Sequence, residues 1–375
     1  MAVVVGGVGT GLYFANKNTS GKTISEKTSQ KLDYINKLID AKFLNKVNES
    51  DLEDGIYKGL LEGLNDPYSV YYTAEEYRKM MEQTSGTYSG IGALVSQNAE
   101  TGIITVVKAF ADAPAAKAGV KNGDIIYKVK GKEVTGVDIN NVVTEMKGEK
   151  GTTVDITVYR ESEKKYIDFT ITRDQVNEPT VEYKMLDKKK KIGYIQISQF
   201  EEVTYDQFTK ALDDLKKQGM KAVIFDVRSN PGGLYETVCK MLDEILPEGN
   251  LVSTKDKYGN EEKQTSDSKC LDMPMVVLQN KDSASASEIF AGAIQDFNAG
   301  KIVGTQSFGK GIVQTILPLS DGSAVKLTVQ DYYTPSGKNI HGKGITPDVE
   351  AELEENATSD TQLEKAKETI MELMK

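Results

Sequence analysis

Apolar residues recur at three- and four-residue intervals early in the chain, at Leu32, Ile35, Leu38 and Ile39 and again at Leu52, Ile56, Leu60, Leu61 and Leu64. That period puts them on one face of a helix, so residues 28–85 are predicted as a helical region. Asn65-Asp66-Pro67 breaks the second helix, and Thr73-Ala-Glu-Glu76 has the form of a capping box that opens another. From 86 to 177 the texture changes. Gly102–Val107 and Thr152–Tyr159 read as strands between glycine-marked turns, with helical spacing only at Ala113–Ala118 and Val137–Met146. Such a mixture with its own apolar set is a small domain. From 178 to 355 strands and helices alternate: Ile192–Ile197 strand, Tyr205–Gln218 helix, Ala222–Val227 strand, Leu234–Leu246 helix, Pro274–Leu278 strand, Ser285–Asn298 helix. Strands that are apolar along their whole length predict an α/β core with buried, largely parallel strands. Leu363–Met374, within 356–375, is a terminal amphipathic helix. The expected class is α/β, in an α+β multidomain arrangement.

Charge and composition narrow the partners. A net charge of −10 argues against nucleic acid, because phosphate binding draws on clustered Lys and Arg. The one basic run, Lys188–Lys191, reads as a solvated turn. A single histidine, His341, excludes a multi-histidine metal site and allows a hydrolase at most one imidazole. Cys239 and Cys270 lack metal-ligand spacing and make no disulfide framework, although one bond between them stays open. No metal and no cofactor are expected. Met1–Ala15 carries no charge, is short of the roughly 20 apolar residues of a spanning helix, and lacks a signal peptide's basic flank and cleavage pattern. It reads as the remnant of a signal-anchor, with the polar linker completing 1–27, against the plainer alternative of a Gly-rich tail. An anchor would place the remainder outside the cytoplasm, in a bacterial cell envelope.

Three segments carry candidate chemistry. Ser283-Ala-Ser-Ala-Ser-Glu288 abuts a helix start, where unpaired N–H groups and the positive dipole end stabilise a developing oxyanion. The same residues fit a plain capping box with Ser285 as cap. In Ser307-Phe-Gly-Lys-Gly-Ile-Val-Gln314 a lysine stands between two glycines. Buried lysine becomes a general base because desolvation lowers its pKa. Gln314, at an even offset from Lys310, shares its face of an extended segment and could direct it. The plain alternative is a surface turn before a hairpin strand. Asp226-Val-Arg-Ser-Asn-Pro-Gly-Gly233 leaves the carboxyl end of a buried strand, where α/β sheets build their sites. Its paired glycines let backbone N–H groups turn toward a ligand, or simply make a tight turn.

Taken together these segments resemble the carboxyl-terminal processing peptidases, or tail-specific proteases. The resemblance also runs through Asp66-Pro-Tyr-Ser69, Gly90-Ile-Gly92, Gly304-Thr-Gln306 and Tyr333-Thr-Pro-Ser-Gly337. It implies a serine endopeptidase with a Ser–Lys dyad: Ser285 as nucleophile, Lys310 as general base and Gln314 orienting the lysine. It also implies an oxyanion hole from the backbone N–H of Ala286 and of Gly232 or Gly233. The register of the motif alone selects Ser285 over Ser283 and Ser287. Ala115-Ala-Lys-Ala-Gly-Val-Lys-Asn-Gly-Asp-Ile-Ile126 is similar to a segment of bacterial PDZ domains, so 86–177 is expected to be an inserted PDZ domain and 178–355 the protease core. Gly90, Ile91, Gly92 and Ala93 would then open the strand that captures a carboxylate and lets an apolar protein tail add to its edge.

Competing readings are a catalytically silent PDZ scaffold, a trypsin-like protease with an appended PDZ domain, and a Ser–His enzyme using His341. The intact Ser285, Lys310 and Gln314 set argues against the first. The second lacks its upstream histidine, and the third lacks a Gly-x-Ser-x-Gly elbow. The helical ends flanking the core suggest a homodimer.

Overall fold

A computed structural model of the chain describes residues 3–5, 24–354, 357 and 359–375. Of the expected anchor and linker only the short strand Val3–Val5 and residues 24–27 are described, so the anchor reading lies outside the described residues. No helix among the described residues is long and apolar enough to cross a membrane. The chain divides into two compact units, one of Met1–Val4, Arg78–Val313 and Val329–Lys375, the other of Val5–Tyr77 and Gln314–Thr328.

Within the larger unit, Ala93–Gln97, Ile104–Ala109, Ile125–Val129, Thr153–Arg160 and Lys165–Thr172 form an antiparallel sheet in that spatial order. Alternation drives it: Val154, Ile156 and Val158 bury on one face against Ile104, Val106, Ile126 and Ile171. Helices Pro114–Ala118 and Ile139–Met146 add Ala115, Val142 and Met146 to this core.

The second sheet of this unit runs in the order Val181–Asp187, Ile192–Ile197, Ala222–Asp226, Met275–Gln279, Gly300–Gly304, Val349–Glu350. Its first pair is antiparallel and the rest parallel, as the apolar runs predict. Ala222–Asp226 and Met275–Gln279 are buried at every position because helices cover both faces. Thr204–Lys217, Tyr235–Asp243 and Ala286–Asp296 pack on one side around Phe208, Phe225 and Phe290. Thr361–Leu373 covers the other with Ala366 and Ile370. The hairpin Gly249–Asp256 with Glu261–Ser266 was not marked by the sequence pattern, since its second strand is polar and almost wholly exposed. Cys239 and Cys270 are both free.

In the smaller unit, helices Glu26–Lys42 and Glu49–Glu62 precede the strand Val70–Tyr72, which pairs with Ala324–Lys326. The Ser69 hydroxyl donates to Asp66 Oδ2 at 2.6 Å and accepts from the Thr328 N–H at 3.0 Å. The capping box is present: Thr73 N–H donates to Glu76, and Glu76 N–H to the Thr73 hydroxyl. The apolar face predicted for the first helix is not covered, and the helix buries no residue.

Candidate active site

Ser285 is the N-cap of Ala286–Asp296, with φ 59° and ψ −112°. That conformation is strained for a residue with a Cβ, and such strain persists only where the surroundings impose it. The surroundings are tight, because Ser285, Ala286, Ser287 and Glu288 are all completely buried. Of the three serines, which only the register of the resemblance separates in sequence, two have hydroxyls bonded to the neighbouring loop. Ser283 Oγ donates to the Val227 carbonyl at 2.7 Å, and Ser287 Oγ to the Asn230 carbonyl at 2.9 Å. Both protons are committed to the backbone of the neighbouring loop. The Ser285 carbonyl accepts from the Tyr332 hydroxyl at 3.2 Å. Burial, reinforced by Glu288, holds that phenol's pKa well above its usual value, so it stays a donor.

Glu288 is the residue sequence reading undervalued. It reaches back to the Ser285 N–H through Oε2 at 2.8 Å, as a capping box requires. The same Oε2 also accepts the Lys310 N–H at 2.8 Å, while Oε1 accepts the Ser307 hydroxyl at 2.5 Å and the Gly309 N–H at 2.7 Å. One carboxylate therefore joins the serine's elbow to the lysine's loop, with both of its oxygens satisfied. The only sequence signal was a glutamate on an otherwise small and apolar helix face. The loop is further fixed where Phe308 N–H donates to the Ser283 carbonyl at 3.0 Å. A side chain at Gly309 (φ 89°) would meet the backbone of Gly342–Gly344, which explains the glycine. Lys310 is 4% exposed.

Gln314 lies in the smaller unit and is completely buried. Its Nε2 donates to Thr328 Oγ1 at 3.3 Å, and its Oε1 has no hydrogen-bond partner among the described residues. His341 is exposed on its loop.

The two glycines left open by the sequence are now distinguishable. The Gly232 N–H donates to Asn230 Oδ1 at 2.8 Å, which leaves Gly233 as the candidate donor. At Gly233 (φ 149°) any Cβ would collide with the Phe200 carbonyl. Ala286 is the first residue of its helix, where a backbone N–H has no intrahelical acceptor. Asn230 stitches the glycine loop down: its Nδ2 donates to the Ile197 carbonyl, and its own carbonyl accepts from Ala284 N–H and Ser287 Oγ. No cluster of metal-ligating side chains occurs among the described residues.

Just before the antiparallel sheet, Gly90 pairs with Asp174 in a separate two-stranded sheet of Thr87–Gly90 with Asp174–Asn177. Ile91 buries its side chain in the core, and the Ile91 and Gly92 carbonyls accept from the N–H groups of Ala115 and Phe110. A Cβ at Gly92 (φ 75°) would collide with that of Ala113. Ala93–Gln97, which follows, is an edge strand. Beside it Ala93, Val95, Ile139 and Val143 are only partly buried.

Comparison with known proteins agrees with this geometry. Residues 191–351 match peptidase family S41, 89–171 a PDZ domain, and 12–76 the N-terminal domain of the activating protease CtpB. A probable CtpA-like serine protease of Staphylococcus epidermidis is 38% identical over 324 residues, which cover 85% of this chain and 65% of that protein. One of Staphylococcus aureus is 37% identical over 341 residues, covering 90% of this chain and 67% of that protein. The chain thus spans about two thirds of the length of these relatives. Among solved structures, a photosystem II D1 C-terminal processing protease is 27% identical with a TM-score of 0.51, covering 92% of this chain and 91% of that one. A putative S41 protease from Bacteroides fragilis, 17% identical, shares the fold with a TM-score of 0.54, covering 85% and 90%. The glycine loop, the serine elbow and the lysine loop all fall inside 191–351, and with 37% identity to a relative across 90% of its length, the chain belongs to peptidase family S41.

Proposed function

We propose that the chain is a serine endopeptidase in which Ser285 attacks the peptide carbonyl and Lys310 is the general base. Lys310 is buried, and burial disfavours its ammonium form. Neutral Nζ takes the Ser285 hydroxyl proton as Oγ bonds to the carbonyl carbon. The N–H groups of Gly233 and Ala286 hold the resulting oxyanion. The lysine then returns the proton to the leaving amine, and water releases the acyl group by the same steps. Gln314, four residues after Lys310 in the sequence, is assigned by its even offset the role of orienting the lysine. The observation that carries this reading is the Glu288 carboxylate, bonded at 2.8 Å to the N–H of both Ser285 and Lys310. Incubation of wild type and Ser285→Ala with an unfolded test protein, with products read by mass spectrometry, tests it. Fragments from wild type alone are expected; equal fragments from both would refute it.

The PDZ domain selects substrates by an apolar C-terminal tail added to the open edge of Ala93–Gln97, an assignment supported by that free edge and the apolar side chains beside it. Leu38, Phe43 and Leu44, exposed on and after the first helix, support a homodimer through the helical ends. The uncharged run Met1–Ala15 supports attachment to a membrane with the peptidase on its outer face.

A further inference from the structure

We propose that Asp360, at the start of the C-terminal helix, is a positioning residue for the Gly232-Gly233 backbone and acts through Arg228. Asp226 ends a fully buried strand and is itself 1% exposed. Its Oδ2 accepts from the Tyr194 hydroxyl at 2.7 Å and from Arg228 Nη2 at 2.6 Å; its Oδ1 accepts the Arg228 backbone N–H and Nε at 3.0 Å each. The guanidinium's other edge donates through Nη1 and Nη2 to Asp360 Oδ1 and Oδ2, at 2.9 and 2.8 Å, and Nη1 also reaches Gln362 Oε1 at 3.2 Å. Arg228 is therefore held on two sides by planar bidentate pairs, a geometry that fixes direction as well as position. Asp360 is itself fixed, since Oδ1 caps the helix by accepting Leu363 N–H at 2.9 Å. That helix is anchored to the sheet by Ala366 and Ile370.

Arg228 begins the loop that turns through Ser229, a residue at φ 55°, to Asn230 and the glycines. The loop's far end is pinned at Phe200, whose carbonyl accepts from Leu234 N–H and whose N–H donates to the Gly232 carbonyl. A strained turn between two fixed ends keeps its shape only while both ends hold. Asp360 supplies half of the near end from a segment far along the chain. This role rests on the proposed use of Gly233 as an oxyanion donor and goes beyond it by assigning the C-terminal helix a part in the reaction.

The test uses Asp360→Ser and Asp360→Asn in the full chain. Both residues cap helices well, so the helix keeps its cap while the bidentate carboxylate is lost. A misaligned oxyanion donor weakens the transition state and leaves substrate binding alone, so kcat should fall and KM should not. The expected result is a kcat at least about tenfold lower in Asp360→Ser, a smaller fall in Asp360→Asn, and a KM within about twofold of wild type. Affinity for a peptide boronate, a tetrahedral mimic, should fall with kcat while affinity for the product peptide stays. Wild-type kcat in either folded variant would overturn the proposal. So would a change confined to KM, or a loss that merely tracks a fall in folded protein by circular dichroism. Ser285→Ala, inactive in the same assay, ties the measured activity to the proposed serine, so full activity in the Asp360 variants counts against this inference alone.

Discussion

Four donors converge on the Glu288 carboxylate from residues 285, 307, 309 and 310, and all of it is buried. Glutamine has the same shape but only one acceptor oxygen, so Glu288→Gln sets an amide N–H₂ against at least one N–H donor. Each buried group left unsatisfied costs about 1–3 kcal/mol, and a displacement near 1 Å at a reacting centre costs about 10²-fold in rate. Glu288→Gln should therefore fold with a lowered Tm and cleave about 100-fold more slowly; near-wild-type kcat would show that the carboxylate does not organise the site. The serines give a sharper contrast. Ser287→Ala loses one neutral hydrogen bond, worth about 1 kcal/mol, and should keep most activity, whereas Ser285→Ala should lose all detectable cleavage of an unfolded protein. At this scale the segments around Ser285 and Lys310 stood out as candidates because small residues and glycines flank them, and only the register of the resemblance chose Ser285. Glu288 was only half legible. Its cap on Ser285 is local, but its bonds to Ser307, Gly309 and Lys310 join segments that only the fold brings together.

Among the elements, the strands with continuous apolar runs were readable, and Ala222–Asp226 lies at the centre of the sheet with every residue buried. The polar hairpin strand Glu261–Ser266 was not readable, since solvent on both sides removes the alternation that marks a strand. The turn before Thr204–Lys217 holds another group that sequence gave no reason to notice. Glu201 is 4% exposed, its Oε2 has no partner among the described residues, and a Cβ on Gly86 would strike that oxygen. Burial first, and Glu178 second, push its carboxyl up to about 8. In the unfolded chain a glutamate titrates near 4.3. Between those values the folded state keeps a proton that the unfolded state has lost, so this group's contribution to stability falls as pH rises through that window and levels off above it. Glu201→Gln removes the dependence. Calorimetry from pH 4 to 9 should find the two proteins closest at the acid end and the variant more stable at the alkaline end; parallel Tm curves would show that Glu201 is not protonated in the fold.

For the molecule as a whole, the glycine-marked change of texture at about residue 86 suggested an inserted domain, and the PDZ match begins at residue 89. What its groove binds needed the resemblance to PDZ domains, because a Gly-Ile-Gly opening a strand is common. If tails dock at the Ala93–Gln97 edge, a substrate with a free apolar C-terminus should be cut several-fold faster than its amidated twin, and Gly92→Trp, which crowds Ala113, should erase the difference while still cutting both. Equal rates for the two substrates on wild type would leave the domain a structural role only. The apolar positions of the N-terminal helices were legible as a helical face. Leu61 is buried, but most of that face is not: Ile35, Leu38, Leu52, Ile56, Leu60 and Leu64 are exposed. If those residues meet a second copy, sedimentation velocity should show a dimer that Leu38→Glu with Leu60→Glu converts to monomer; an unchanged sedimentation coefficient would place the dimer contact elsewhere or exclude it.

The claim on which the rest depends is that Lys310 activates Ser285 and neither neighbouring serine. A fluorophosphonate reacts only with an activated hydroxyl and leaves a stable adduct that peptide mass spectrometry assigns to one residue. In the wild-type chain the adduct should form on Ser285 alone. In Lys310→Arg, folded but carrying a guanidinium that cannot act as a neutral base, it should not form on the same timescale. An adduct on Ser283 or Ser287, or labelling of Lys310→Arg at the wild-type rate, would contradict the mechanism.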